Sequence, residues 1–507
     1  MHARSSASFI VRSALLSLVL AGSAPAANPV VLWVTNSSNF GPGSFAAALA
    51  QLQPIATPQE IRFAYPAGQT IWLNGPVAPI VGADVRIDGA DMAGNVVIDG
   101  AGWTPATVAA GAGVARLTIA NLTLRHGQQI GKGGCVGVAD PATLTVLDHV
   151  KLIECKAFVD ASHAARGGAV YAAGPLTVSD SVFERNEINT LGTSAETSDA
   201  AGGALASDGA HDVTIERSTF RDNRIHLVNS LPSFCASGAG GAVYLGLAGA
   251  AAVGTIVDST FTGNQTACRN PSVAYDSVGT GDAGAASLNS DAGTFNVERN
   301  YFEANTGQRG GALAFINAGQ TRVNLYNNTF RANRGLASGG GVGFVSCCYV
   351  RMVNNTFSEN RSGIDGYPNQ YGGAFTINLG TLVLVNNIVN HTSPDSPGCS
   401  YTFGQVTSSH NLYSDAPCPL PTPDPTSLVT GPMSWLGVPA NLGGYGPVLP
   451  PAYGSPPIDS GDDSLCAERD ARGIVRPLDG DGDGIAHCDI GALESSLVDR
   501  IFRNGFD

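Results

Sequence analysis

One short phrase returns through the middle of this 507-residue chain, and it limits the fold more than any other feature. Its first half is a glycine pair followed by small or apolar residues: Gly167-Gly168-Ala169-Val170-Tyr171, Gly202-Gly203-Ala204-Leu205 and Gly240-Gly241-Ala242-Val243-Tyr244. It recurs at Gly310-Gly311-Ala312-Leu313, Gly340-Gly341-Val342 and Gly372-Gly373-Ala374-Phe375. The second half is an alternating strand that ends on an aromatic, with an asparagine shortly after it. That half reads Phe183/Asn186, Phe220/Asn223, Phe261/Asn264, Phe302/Asn305, Phe330/Asn333 and Phe357/Asn360, with a weaker copy at Val385-Asn386-Asn387-Ile388-Val389. The interval drifts from 27 to 41 residues, so this is a repeat with loops of variable length. A period in the range of about 20–50 residues points to a stacked, quasi-one-dimensional architecture.

The phrase holds two strong strand signals, too few for a four-stranded propeller blade. Short alternating runs bounded by Gly, Asp or Asn precede it, near Ile61-Arg62-Phe63, Thr70–Leu73, Val85–Gly89, Val96–Gly100, Leu117–Ile119, Leu122–Leu124 and Leu144–Val146. No helical crossovers interrupt them. We therefore expect an all-β fold: a single right-handed parallel β-helix with two or three short strands per turn. The phenylalanines would stack inside, the asparagines would cap turns, and the glycine pairs would supply positive φ and close backbone approach.

The ends differ from the repeat. Arg4 and Arg12 precede the apolar run Ala14–Ala21, and Ala24-Pro25-Ala26 has the A-x-A form of a cleavage site, so residues 1–26 read as a secretory signal. The expected setting is secretion or the outer surface of a bacterium, with no transmembrane helix once the signal is removed. Residues 27–60 read as a cap, with a strand at Val31–Asn36 and a helix over Ser44–Leu52 capped by Ser44. The solenoid is expected over 61–415, an irregular closing cap over 416–496 and a short tail over 497–507. Export makes the ten cysteines disulfide partners. Proximity suggests Cys135–Cys155, Cys235–Cys268, Cys399–Cys418 and Cys466–Cys488, leaving Cys347 and Cys348, although connectivity does not follow from sequence.

These residues resemble those of bacterial exported right-handed parallel β-helix proteins. Val34-Thr35-Asn36 with Gly41-Pro42-Gly43-Ser44-Phe45 is similar to the start of such chains. The central repeats are similar to those of polymorphic outer-membrane-type passengers. Gly454–Gly461, Cys466, Asp470-Ala471-Arg472-Gly473, Arg476-Pro477 and Cys488-Asp489-Ile490-Gly491-Ala492-Leu493-Glu494 resemble the closing region of the choice-of-anchor Q subgroup. The resemblance implies a fold and export, not an activity. It also makes the tail Ile501–Asp507 a candidate sorting signal.

A net charge of −14, with three lysines (Lys132, Lys151, Lys156), argues against nucleic acid as a partner. Asp479-Gly480-Asp481-Gly482-Asp483-Gly484 places carboxylates at alternate positions, a pattern suited to calcium; Asp479, Asp481 and Asp483 are the expected ligands. A full calcium loop would carry Glu at its last position, where Ile490 stands. No HExxH, GxSxG or Walker-type motif occurs, and the signatures of polygalacturonase-type enzymes are absent. Rim charges such as Asp180, Glu184, Arg217, Arg221, Asp222, Arg224, Glu303, Arg331, Arg334 and Glu359 could share one face, but no catalytic or cofactor-binding residue stands out. The expected role is non-catalytic adhesion, recognition or structure toward a glycan or protein partner. Contacts are expected in the loops at 188–200, 225–238 and 265–282. The alternative is a polysaccharide lyase, a glycoside hydrolase or a polysaccharide-binding protein.

Overall fold

The first strand, Val30–Val34, pairs in parallel with Gln59–Phe63, and the chain between them forms the helix Phe45–Ala50. Ser44 caps that helix by accepting from the Ala47 amide at 3.2 Å. Phe45, Ala48 and Leu49 are buried, and the Phe45 ring stacks on Phe63 with centroids 6.1 Å apart. This is the expected lid on the open end of a solenoid. The computed structural model describes residues 28–102, 107–160, 162–190, 199–228, 238–269, 282–316, 319–345, 349–363, 371–378, 380–391, 396–402, 404–420 and 424–496. The signal and tail, Cys235, Cys347 and Cys348, the Cys268 side chain and the centres of the three named loops lie outside them.

From Gln59 onward the backbone is a parallel β-helix. One turn runs through Leu176–Ser179, Val182–Glu184, Glu187–Thr190, Ala200–Ala201 and Leu205–Gly209, and the next begins at Val213. Stacked turns make two 13-stranded sheets, a 10-stranded sheet, an 8-stranded sheet and a minor 3-stranded one. Each full turn therefore has four principal strands rather than two or three. The alternating run before each Phe is two strands, split at a left-handed corner, the GGA phrase leads into the fourth, and the third carries outward polar residues with little apolar signal. The variable length falls in one place, between the third and fourth strands. There a long turn spans Thr190 to Leu205, whereas a short one spans only Gly307 to Leu313. The inserted loops consequently rise from successive turns on the same flank.

The interior follows from the repeat. Phe183, Phe220, Phe261, Phe302, Phe330 and Phe357 are fully buried, and successive ring centroids lie 4.6, 4.8, 4.9, 4.9 and 4.8 Å apart. Asn186, Asn223, Asn264, Asn305, Asn333 and Asn360 form a buried column beside them. Each of the first five donates its side-chain amide to the next oxygen at 2.9–3.0 Å. The same oxygen accepts the preceding backbone amide, so turn polar groups are satisfied without water. A second column was not evident in the repeat because it changes residue type: Ser181, Ser218 and Ser259, then Asn300, Asn328, Asn355, Asn387 and Asn411.

Both columns turn the chain at a left-handed corner. Residues before the second column, including Asp180, Arg217, Asp258, Arg299, Asn327, Asn354 and Asn386, have φ between 45° and 55°. Such a conformation costs roughly 1–2 kcal/mol for a residue with a Cβ, and the buried amide bonds offset it. The glycine pairs serve differently. Gly167, Gly202 and Gly240 take φ of 68–75°, and a Cβ on Gly168, Gly203 or Gly241 would overlap a carbonyl oxygen of the following turn.

Three of the expected disulfides are formed: Cys135–Cys155, Cys399–Cys418 and Cys466–Cys488. No helix among the described residues is long and apolar enough to cross a membrane.

Candidate functional site

The closing region lies along the flank of the coil, not only over its end. Leu428–Val429 adds a last parallel bridge to Leu412–Tyr413, after which the chain forms scattered antiparallel bridges. It then runs back over the first corner. Asn386 donates to Asp462 O (3.2 Å) and accepts from Asp462 N (2.8 Å). Asn354 donates to Asp489 O (2.9 Å) and accepts from Ala467 N (3.0 Å). Asn327 donates to Arg469 O (2.6 Å), and further along Tyr445 reaches Asp180 at 2.5 Å. The first asparagine of each NN pair thus docks the closing region, while the second points into the core column.

Inside this lobe Asp470, Arg472, Arg476, Asp489 and Glu494 form a buried ionic knot. Arg476 is fully enclosed and donates to Glu494 at 2.7 Å, Asp489 O at 2.9 Å, Gly491 O at 2.7 Å and Asn327 Oδ1 at 3.2 Å. Asp470 holds the Arg472 side chain at 2.8 Å and the amides of Arg472, Ile474 and Glu494. Burial pushes the Glu494 carboxyl up to about 7 and that of Asp489 up to about 6, against the pull of Arg476. These groups are enclosed by their own lobe and hold it together.

The acidic run is a chain of Asx turns. Asp479 accepts from the amides of Gly482 (2.6 Å) and Gly484 (3.0 Å), Asp481 from Asp483 (3.0 Å) and Asp483 from Ile485 (2.7 Å). Asp459 reaches in to the amides of Gly480 (2.8 Å) and Asp481 (2.7 Å). Carboxylate oxygens of Asp459, Asp479 and Asp481 lie within 4.8 Å of one another; Asp483 is not one of that group. Asp459 joins this group from a separate turn of the lobe. Hydrogen bonds to its own amides already give this loop a shape.

The rim charges do not converge. Asp180 and Arg217 belong to the first corner, at 2.8 Å from each other. Glu184 and Arg221 (2.6 Å), Glu187 and Arg224, and Glu303 with Arg331 belong to the second corner and its flanking strands. Glu359 also meets Arg331, at 3.1 Å. His126 stands between Asp99 and Glu154 at 3.0 Å from each. Opposite charges alternate from turn to turn, which avoids like-charge stacking along the ladder.

A different set gathers on the loop-bearing flank. The tyrosines that end two of the repeated phrases, Tyr171 and Tyr244, point out of the fourth sheet on one column, with Ala206 between them and Ser287 after them. Lys132 lies 4.3 Å from the Tyr171 ring centroid and donates to its hydroxyl at 3.1 Å, and that hydroxyl donates to Asp208 at 3.0 Å. Arg166 approaches Asp208 to 3.8 Å and lies 5.9 Å over the Tyr244 ring. Arg309 pairs with Asp282 at 3.2 Å, and burial pushes the Asp282 carboxyl up to about 7. Burial also raises the Tyr244 phenol. Ser287 is fully buried, and its hydroxyl has no hydrogen-bond partner among the described residues. The signal for this cluster was present in the sequence as GGAVY, but whether a tyrosine faces in or out depends on strand register.

No family model matches the chain, and no curated protein matches it at a significant level.

Proposed function

We propose that this chain is an exported β-helix, secreted or held at a bacterial surface, that recognises a glycan on its loop-bearing flank without catalysis. The observation that carries this reading is the partly exposed Tyr244 ring beside Arg166 and Asp208, at the foot of the variable loops. An aromatic face beside charged groups suits the mixed apolar and polar surface of a sugar ring. Elsewhere the repeated Phe and Asn residues are committed to the core, and many rim charges are committed to one another. The resemblance to exported anchor Q-type chains supports the compartment, since its closing motif supplies the knot that secures the lobe.

Binding to a panel of neutral and acidic glycans is the direct test. Tyr244→Ala should weaken the best ligand about tenfold or more, the loss of a ring contact and its surrounding order, while leaving the melting temperature nearly unchanged. Unchanged binding would remove the site from this reading. A second reading, an enzyme, is favoured by the enclosed Asp282 carboxyl, which burial pushes up as a general acid requires. Turnover of any panel glycan that Asp282→Asn abolishes would establish that reading instead.

Calcium at Asp459, Asp479 and Asp481 is proposed as a support for the lobe, with hard oxygen donors as the chemistry. Millimolar calcium should raise the melting temperature of the intact chain, and Asp481→Ala should cancel the rise. A melt indifferent to both calcium and chelator would dispose of the metal.

A further inference from the structure

A cavity of about 320 Å³ lies where the closing lobe crosses the coil, on the first sheet rather than the loop-bearing flank. Its floor is the outer face of three successive strands. Glu298, Tyr326 and Val353 share one register column there, and Arg351 stands two residues before Val353. Val297, Leu325, Val350 and Met352 are buried in the core, so their alternate neighbours Glu298, Tyr326 and Arg351 project outward. The roof is residues 465–469 of the lobe, including Cys466 of the last disulfide.

The charges around this space are unequally committed. Arg299 is held bidentately by Asp258 at 2.8 and 3.0 Å, and Arg469 donates to the Gly473 carbonyl at 2.8 Å. Glu298 has only a contact of 3.4 Å with Arg299. The side chains of Arg351 and Glu468 make no hydrogen bond or ion pair among the described residues, and Arg351 is partly exposed. Groups of both signs therefore front the cavity with bonding capacity to spare. Glu298 and Arg351 lie two strands apart and two residues out of register, so roughly 12 Å separates their backbones. Two long side chains shorten that gap from both ends and leave room for a small molecule that carries a cation and an anion. Arginine's planar fork matches a carboxylate bidentately. Val353, Leu465 and Ala467 add an apolar wall. A preformed cleft with an apolar lining and a few polar groups, at the junction of two parts of a fold, is the usual setting for a small ligand.

We propose that the junction of coil and closing lobe binds a free α-amino acid. Its carboxylate sits on Arg351, its ammonium group on Glu298 and Glu468, and its side chain against Val353, Leu465 and Ala467. The site is separate from the glycan reading and does not depend on it. A ligand that touches both floor and roof also fastens the lobe to the coil.

The test is calorimetric titration of the full chain with each of the common amino acids. The tightest is then compared with its deaminated acid and its decarboxylated amine. The intact amino acid should bind at least about tenfold tighter than either analogue, because each lacks one charged hydrogen-bonding pole. Arg351→Gln should abolish the preference over the amine, and Glu298→Gln should reduce the preference over the acid. Binding should also slow hydrogen exchange at the amides of residues 465–469. An acid analogue as tight as the amino acid would make this a plain anion site and overturn the proposal, and an equally tight amine would overturn it likewise. Affinity unchanged in both variants would place the ligand elsewhere and overturn the assignment. Failure of every amino acid to bind a chain with native circular dichroism and melting would end it. The same two measurements on each variant separate these outcomes from misfolding.

Discussion

Arg476→Met is expected to destabilise the closing lobe by about 3–5 kcal/mol, the range for removing one partner of a fully buried ion pair. The guanidinium satisfies Glu494, two backbone carbonyls and Asn327, and methionine satisfies none of them. Hydrogen exchange at Asp489 to Glu494 should rise steeply, while amides in the Phe183–Phe357 turns stay protected. Arg476→Met combined with Glu494→Leu should recover part of the loss, because the uncompensated carboxylate is gone. Unchanged exchange in the single variant would show that the knot does not hold the lobe. The sign of the pH effect follows from the same carboxyls. With Asp489 raised to about 6 and Glu494 to about 7, the folded lobe binds protons more tightly than the unfolded chain. That contribution is fully present below the ordinary carboxylate range and is lost as pH rises through about 6 to 7. Lobe protection in the native protein should therefore be lower at pH 8 than at pH 5.5, and the Arg476→Met deficit should be greatest at the higher pH.

Phe261→Ala should cost about 3–5 kcal/mol, since it opens a cavity in the centre of the stack. Its ring lies 4.8 Å from Phe220 and 4.9 Å from Phe302 and is fully buried. In a solenoid each turn is stabilised mainly by its neighbours, so this deletion should also divide the unfolding transition into two, on either side of the damaged turn. Denaturant unfolding followed by circular dichroism checks both the cost and the cooperativity. Phe261→Leu should be far milder, because the same column is occupied upstream by Ile71, Ile98, Leu124 and Leu152. An alanine variant as stable as the native chain would refute the view that the ladder is a principal source of stability.

The architecture was legible because its causes are local and repeated. A buried Phe with an Asn shortly after it states a strand, a turn and a filled interior, and repetition multiplies the signal. Ser44 and the apolar face of residues 45–49 announced the cap helix for similar reasons. The third strand of each turn was not legible, nor was the break that divides the run before each Phe into two strands. Pieces such as Arg334–Gly335 are too short to alternate and pair only because neighbouring turns hold them in register. The serine half of the second polar column was equally quiet: serine and asparagine share the task of accepting an amide, but not a name in a repeat.

The candidate sites divide along the same line. The spacing of Asp479 and Asp481 was legible because Asx turns are local, whereas the approach of Asp459 to them is tertiary and was not. The rim charges looked like one face in sequence and fall on two corners in space, several of them paired with a residue one turn away. The closing motif suggested an identity for the region, but its Arg and acidic residues acquired a role only through enclosure.

What the sequence by itself determined is the coil: its strand signals, its inward phenylalanines and its capped start. Each of those depends on residues close in the chain or repeated at a recognisable interval. Only the tertiary structure decided that the closing region folds back along the asparagine corner, and that Tyr171, Tyr244, Arg166 and Asp208 meet on the loop-bearing flank. Those meetings join residues tens of positions apart through strand register and side-chain direction. Neither is encoded in local propensity.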